Sequence, residues 1–111
     1  MQVLAHPLLR RDIEGLAEHV HAVSGSADAA RRRLREVHDL IEQVIENPSL
    51  GTSVGEALPG WRVRHGGRGR RITLVFRHDA EADEIHLALV SFGGEDWANR
   101  SPGRTTHFPD R

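Results

Sequence analysis

The chain of 111 residues contains no cysteine, no lysine and no tyrosine. The lack of cysteine excludes a disulfide framework, a thiolate metal site and a cysteine nucleophile. The lack of lysine and tyrosine excludes a Schiff-base amine and a phenolic proton donor. Its fifteen strongly basic residues are all arginine. Any phosphate chemistry or phosphate recognition must therefore rely on arginine and histidine.

Long apolar runs are missing as well. No segment approaches the roughly 20 apolar residues that a membrane-spanning helix needs. The N-terminal "MQVLAHPLLRRDIEGL" lacks the apolar core of a signal peptide. A short chain without disulfides fits one domain in a reducing compartment, so we expect a cytoplasmic protein. We assign the folded domain to residues 1–97 and predict that residues 98–111 are a tail, either loop or partly disordered.

The first half of the chain predicts a short strand and two helices. Residues 2–5 are a short apolar segment that fits an edge strand. Two stripes of apolar residues then follow at spacings of three and four, which places each stripe on one helical face. Ser26 is a favourable N-cap for the second helix, and Asn47 before Pro48 ends it. The stripes are Leu9, Ile13, Leu16, Val20 and Val23, and Ala30, Leu34, Val37, Ile41 and Val44.

After Gly51 the apolar period becomes two, which predicts three strands over residues 61–65, 70–77 and 84–92. The element order is then β-α-α-β-β-β. This order predicts an α+β fold, a two-layer sandwich in which the helical hairpin packs on a mainly antiparallel sheet. By alternation, the sheet face toward the helices carries Ile72, Leu74 and Phe76 from one strand and Ile85, Leu87 and Leu89 from the next.

Charges are separated along the sheet region. Residues 60–78 contain six arginines and no carboxylate, whereas residues 79–97 contain six carboxylates and no arginine. We interpret the acidic run 79–84 as a solvated turn. Alternation predicts an open face, opposite the helices, that combines arginines with His86, Ala88 and Val90 and suits phosphate oxygens or an acidic peptide. The alternative is a solvated face that only keeps the sheet soluble. The arginines of the predicted open face are Arg62, Arg64, Arg71 and Arg77.

A basic turn in the second predicted helix, "ARRRLRE", has a simpler interpretation. Arg32 and Glu36 are four residues apart, as are Arg35 and Asp39, and such pairs meet on a helix surface. We therefore expect this turn to be a solvated face balanced by its own ion pairs.

The eight histidines do not form a metal-ligating pattern. His19 and His21 are two apart on a helix and point to different sides, so they do not chelate one ion together. We expect no metal site and no cofactor.

Five segments in this order resemble the RelE/ParE superfamily of toxins from bacterial type II toxin–antitoxin systems. They are "HPLLRRDIEGLAEHV", "IEQVIENPSLG", "LPGWRVR", "GRRITLVFRHD" and "EIHLALV", and the resemblance covers residues 2–97. It implies the β-α-α-β-β-β layout. It also implies a cognate antitoxin whose C-terminal segment wraps the toxin, hence a toxin–antitoxin hetero-oligomer.

The resemblance leaves two activities open. RelE-type members cut messenger RNA on the ribosome. In such a site Arg71 would stabilise charge on the scissile phosphate. His65, His78 and His86 are candidate bases, since imidazole titrates near neutrality. ParE-type members are not nucleases and poison DNA gyrase. The full nuclease set would be Arg62, Arg64, Arg71 and His86.

The segment "FGGEDW" favours the ParE type. Gly94 and Glu95 stand where RelE-type chains place a second arginine, and a carboxylate there would repel phosphate. The C-terminal tyrosine of many nucleases is missing, and Trp97 cannot exchange a proton. Asp96 matches the ending common in ParE-type chains. A third hypothesis is a decayed toxin that only binds its antitoxin.

For the antitoxin itself, we expect carboxylates placed over the arginines of the open face and apolar side chains placed against the helical hairpin. The predicted contact residues for an antitoxin or a target are Arg62, Arg64, Arg71, Arg77 and Trp97.

Overall fold

A computed structural model describes residues 1–93 and 97–109. It has the predicted α+β architecture, in which a helical hairpin packs on one face of a sheet. The strands are β1 (Gln2–Ala5), β2 (Thr52–Ser53), β3 (Trp61–Gly66), β4 (Ile72–Asp79) and β5 (Glu84–Phe92). The helices are α1 (Leu9–Ser24), α2 (Ala27–Glu46) and α3 (Trp97–Arg100), and 3₁₀ turns cover Arg68–Arg70 and Ser101–Arg104.

The sheet has the strand order β1-β5-β4-β3-β2. β1 pairs parallel to β5, and the other pairs are antiparallel, so β3, β4 and β5 form the predicted meander. β2 was not predicted, because two residues are too few to show a period. It pairs Thr52 with Val63 and Ser53 with Arg62 at the edge of the sheet.

The helical hairpin turns at Gly25 and Ser26. Gly25 has φ 68°, a left-handed conformation that glycine adopts without a steric penalty, and its N–H donates to the carbonyl of His21. Ser26 Oγ then accepts the N–H of Ala29 at 3.1 Å, which confirms the predicted N-cap of α2. The two caps lie in consecutive residues, so α1 and α2 are antiparallel neighbours.

The main core lies between the hairpin and the sheet. Ile72, Leu74 and Phe76 are fully buried on the helix side of β4, as alternation predicted. The other buried members are Leu9, Leu16, Val37, Leu40, Val44, Ile85, Leu87 and Val90. Val23, the last residue of the predicted α1 stripe, is 74% exposed and does not join this core.

A β-bulge at Ala88 changes which residues of β5 point toward the helices. Val75 is opposite Leu89 and Phe76 is opposite Leu87, which leaves Ala88 as the extra residue. The bulge shifts the alternation by one residue, so Val90 joins the helix-side core and Leu89 lies on the other face. The sequence-based assignment of Leu89 to the helix side, and of Val90 to the open face, was therefore wrong.

The sheet face away from the helices is not open. It carries a second buried cluster, which we call the second core: Trp61, Val63, Val75, Ala88 and Leu89. Trp97 and Phe108 from the C-terminal segment pack against it. Because Trp61 and Val63 occupy this face, the alternating Arg62 and Arg64 must point toward the helix side. The prediction that Arg62, Arg64, Arg71 and Arg77 share one open face is wrong.

The C-terminal segment is ordered by a buried ion pair. The two Arg104 Nη atoms donate to the two Asp12 carboxylate oxygens at 2.7 and 2.8 Å, and Arg104 Nη1 also donates to the Ala88 carbonyl at 2.9 Å. Asp12 Oδ2 accepts the N–H of Val90 at 3.2 Å. The pair thus contacts the backbone at the bulge residue and two residues after it, where strand pairing is disrupted.

Residues 97–109 therefore have more structure than the predicted loop. Trp97–Arg100 is helical, Ser101 is fully buried, and Arg104 is buried beside Asp12. The local sequence, with its two prolines, indicated a loop. It could not indicate the contacts that order the segment, because these contacts come from a residue about ninety positions earlier in the chain.

Candidate functional site

The Arg62 side chain is hydrogen-bonded to backbone carbonyls of the loop that follows α2. Its Nη2 donates to the carbonyls of Ser49 at 2.9 Å and Gly51 at 2.7 Å, and its Nε donates to Leu50 at 3.3 Å. These bonds fasten the loop that follows α2 onto the edge of β3. A guanidinium has five N–H donors, and those that point into this loop are not available to a phosphate.

Arg64 lies on the same side of β3, next to α2. It lines a cavity of about 200 Å³ together with the carboxylates Glu36 and Asp39. The negative charges of α2 therefore offset Arg64 and weaken its attraction for an anionic ligand.

Arg77 and His86 form a pair at the other end of the sheet. Arg77 Nη2 lies 3.1 Å from His86 Nδ1, and its guanidinium carbon lies 5.4 Å from the Trp61 ring centroid. His86 Nε2 lies 3.6 Å from Glu84 Oε1. A guanidinium can only donate, so Nδ1 accepts and the neutral ring carries its hydrogen on Nε2, toward Glu84. Neither ring nitrogen is left to act as a general base.

Two histidines at this end of the sheet have lowered pKa values, which favours their neutral form. Burial, followed by the charge of Arg77, lowers the pKa of His86 below 6.5. Burial, followed by the charge of Arg104, lowers the pKa of His6 in the same direction. Both rings contact Phe108, with centroid distances of 5.0 Å from His86 and 5.6 Å from His6. Protonating either one would place a charge beside the packed C-terminal segment.

We expect stability to fall as the pH is lowered from about 7 to about 5. The unfolded chain binds protons at its histidines near pH 6.5, whereas the folded chain resists protonation at His6 and His86, so acid favours the unfolded state. Denaturant unfolding at both pH values measures the change, and a His86→Asn variant should show a smaller drop. An equal drop in the variant would contradict the role of His86.

Arg71 lies apart from the Arg77–His86 pair. It directly precedes β4, is exposed, and has its guanidinium carbon 5.3 Å from the Phe92 ring centroid. His86 is opposite Arg77, six residues further along β4, which is about 20 Å at the usual rise of an extended strand. The four residues of the predicted nuclease set, Arg62, Arg64, Arg71 and His86, therefore do not meet at one point.

Arg71 lines a groove at the tip of the helical hairpin. This hairpin groove, with a volume of about 250 Å³, lies between the end of α1, the start of α2, the segment that joins β3 to β4, and the last residue of β5. Its lining residues are His19, Val20, Val23, Ser24, Ala29, Arg32, Arg33, Arg68, Arg71 and Phe92.

Trp97 packs against the second core, and its ring centroid lies 6.0 Å from that of His65. It is partly buried, so its proposed role in binding stays a prediction.

Gly94, Glu95 and Asp96, on which the sequence argument for the ParE type partly depended, lie outside the described residues. Within residues 1–93 and 97–109, no three histidine or acidic side chains converge as metal ligands, and no helix is long and apolar enough to cross a membrane.

Sequence reasoning missed Asp12 and Arg104. A usable signal was present, because Asp12 lies three residues after Leu9 and four before Leu16, on the apolar stripe of α1. A carboxylate at such a position needs a buried partner. The sequence did not indicate which of fifteen arginines supplies it.

Three comparisons with known proteins bear on this site. The model of a family described as "ParE toxin of type II toxin-antitoxin system, parDE" matches residues 3–97. No curated protein matches the chain. A solved structure titled "Chromosomal ParDE TA system from P. aeruginosa" has a TM-score of 0.67 and 16% sequence identity, and the alignment covers 84% of this chain and 96% of that chain. At that identity, the likeness supports the fold.

Proposed function

The chain belongs to the ParE toxin family of type II toxin–antitoxin systems, and on this premise we propose that it inhibits bacterial growth by poisoning DNA gyrase. In this proposal it is not an enzyme, acts in the cytoplasm, and is neutralised by a cognate antitoxin in a hetero-oligomer. The similarity of its fold to a ParDE toxin–antitoxin structure supports the antitoxin as the partner.

The observation that supports a non-enzymatic mechanism is the dispersal of the candidate nuclease residues. Arg62 holds a loop, Arg64 faces the carboxylates of α2, and both nitrogens of His86 are engaged. An RNA-cleaving site needs a base and a charge-stabilising group within a few ångströms of one phosphate. Among the described residues, this set does not provide such an arrangement.

A test in cells separates the proposal from the nuclease alternative. The protein is induced without its antitoxin in a strain that carries a DNA-damage-response reporter. We expect growth arrest with a rising reporter, because a trapped gyrase leaves double-strand breaks. Growth arrest with a flat reporter would favour an effect on translation, and no growth arrest would favour a decayed toxin. Either result would contradict the proposal.

An Arg71→Ala variant sharpens the comparison. If Arg71 stabilised charge during RNA cleavage, the variant should lose about 100-fold or more of that activity. If the protein acts on gyrase without chemistry of its own, we expect the variant to lose much less of its growth inhibition. Primer-extension mapping of cellular mRNA in both strains measures cleavage directly. Cleavage that requires Arg71 would contradict the gyrase proposal.

A further inference from the structure

Arginines of α2 and of the segment that joins β3 to β4 lie together at one end of the molecule. Arg32 of α2 lines the hairpin groove together with Arg68 and Arg71 of the joining segment. This segment lies against the helix, since a Cβ added to Gly67 would come within 3.0 Å of Glu36 Oε2. We call the exposed arginines of this surface the basic end: Arg32, Arg35, Arg68, Arg70 and Arg71.

The charges of the basic end are not balanced as the sequence predicted. Glu36 pairs with Arg33, at 3.3 Å between Glu36 Oε2 and Arg33 Nε, instead of with Arg32. Within the part of the chain that the structure describes, no carboxylate forms an ion pair with any arginine of the basic end. The expected pairs Arg32–Glu36 and Arg35–Asp39 are therefore not formed, and the basic end keeps its full positive charge.

The basic end offers no phenylalanine, tyrosine or tryptophan ring for stacking. The three phenylalanines and two tryptophans of the chain all lie within the described residues, and none of them is exposed. Phe92, which lines the hairpin groove, lies under the guanidinium of Arg71, whose central carbon is 5.3 Å from the ring centroid. Proteins that bind single strands stack the bases on accessible aromatic rings. This surface therefore suits a backbone of phosphates better than unpaired bases.

We propose that the basic end binds the phosphate backbone of duplex DNA without reading its sequence. Duplex DNA carries one negative charge per about 1.7 Å of helix axis, and guanidinium groups bind phosphate oxygens through two parallel hydrogen bonds. Each such contact releases condensed counterions from the DNA, which drives sequence-independent binding. In the free protein the five like charges repel one another, and a polyanion removes this repulsion.

The arrangement of the arginines favours an extended polyanion over a small anion. A small-molecule site places a few polar groups so that they converge inside a pocket. Here all five arginines are exposed, and they are distributed over a helix and a neighbouring turn. A basic patch on one face is the electrostatic signature of a nucleic-acid surface. The formal net charge of only −1 means that the attraction for DNA is local to this end of the molecule.

The role of this contact in the cell rests on the proposed function. Gyrase acts on duplex DNA, so a toxin that poisons gyrase works beside a phosphate backbone. The basic end then adds a DNA contact to the contact that the toxin makes with gyrase itself. In this arrangement Arg71 binds phosphate without taking part in cleavage, which agrees with its distance from His86.

The test measures the affinity of the purified protein for a short labelled DNA duplex of mixed sequence, by fluorescence anisotropy between about 50 and 200 mM salt. With all five arginines on phosphates, the logarithm of the binding constant should fall with the logarithm of the salt concentration at a slope of about −4 to −5. An Arg32→Ala/Arg71→Ala double variant should bind more weakly, with a slope smaller by about 2. An Arg32→Lys/Arg71→Lys variant should keep the slope of the parent chain, because charge determines counterion release.

The matched control is an Arg10→Ala/Arg11→Ala double variant. It removes the same charge from exposed positions at the start of α1, at the far end of the helical hairpin, and should keep the slope of the parent chain. Equal changes of slope in the two alanine variants, or no duplex binding by the parent chain at low salt, would overturn the proposal. Tighter binding to single-stranded RNA or to polyglutamate than to the duplex would also overturn it, because the basic end would then serve another class of partner.

A gyrase reaction with the same proteins separates this inference from the proposed function. The Arg32→Ala/Arg71→Ala variant should need about 10-fold more protein than the parent chain to give the same number of gyrase-linked double-strand breaks. A parent chain that binds the duplex but produces no such breaks would refute the proposed function and leave the DNA contact in place. Breaks produced by a parent chain that does not bind the duplex would refute the DNA contact alone.

Discussion

Replacing Arg104 by alanine should lower the free energy of unfolding by about 3–5 kcal/mol, because it leaves a buried charge without its principal partner. The Asp12 side chain is only 3% exposed and takes hydrogen bonds from both Nη atoms of Arg104. The substitution also removes the donor to the carbonyl of the bulge residue Ala88. Urea unfolding of the two proteins measures the difference.

Arg100 supplies the matched control for this experiment. It also donates to Asp12, at 3.0 Å, but its side chain is 38% exposed. An Arg100→Ala variant should therefore lose no more than about 1 kcal/mol, as expected for a solvent-screened pair. Similar, small losses in both variants would show that the Asp12–Arg104 pair does not hold the C-terminal segment in place.

Replacing Trp61 by alanine should lower the free energy of unfolding by a similar amount, about 3–5 kcal/mol. Trp61 is 4% exposed, stacks on Phe108 at a centroid distance of 6.0 Å, and lies under the guanidinium of Arg77. Its removal would open a cavity in the second core and free Phe108 at once. The measurement is again denaturant unfolding.

A Trp61→Phe variant should recover most of this loss, because it keeps an aromatic ring against Phe108 and Arg77. A loss below about 1 kcal/mol in Trp61→Ala would contradict the second core. It would mean that the sheet face away from the helices is effectively open, as the sequence pattern alone predicted.

The two helices of the hairpin and the three strands of the meander could be predicted because they depend on local signals. The N-cap at Ser26 and the bounds of β5 agree with the structure. The assignment of Leu89 and Val90 to faces failed because a bulge adds one residue and reverses the alternation after it. An apolar pattern that continues through the bulge gives no sign of it.

The placement of the arginines failed for a different reason. Alternation relates neighbours within a strand, but it does not determine which face of the sheet meets the helices. Trp61 and Val63 occupy the second core, and their position sends Arg62 and Arg64 to the opposite side. That second core exists because the C-terminal segment covers it, and the contact between Asp12 and Arg104 is too distant in sequence for any local pattern to indicate.

The resemblance to the RelE/ParE superfamily, and its closer match to the ParE type, are confirmed by the family match over residues 3–97. The resemblance did not identify the hairpin groove. Arg71 was predicted as a site residue, but Arg32 was interpreted as part of a balanced helix surface. Only the fold brings Arg32, Arg68 and Arg71 together around one groove.

The most direct test of the proposed mechanism uses purified components. The protein is added to DNA gyrase with supercoiled plasmid and, in parallel, to a ribosome translation reaction with a defined mRNA. We expect gyrase-linked double-strand breaks to accumulate, to disappear when antitoxin is added, and the mRNA to stay intact. Cleaved mRNA together with unaffected gyrase would contradict the account.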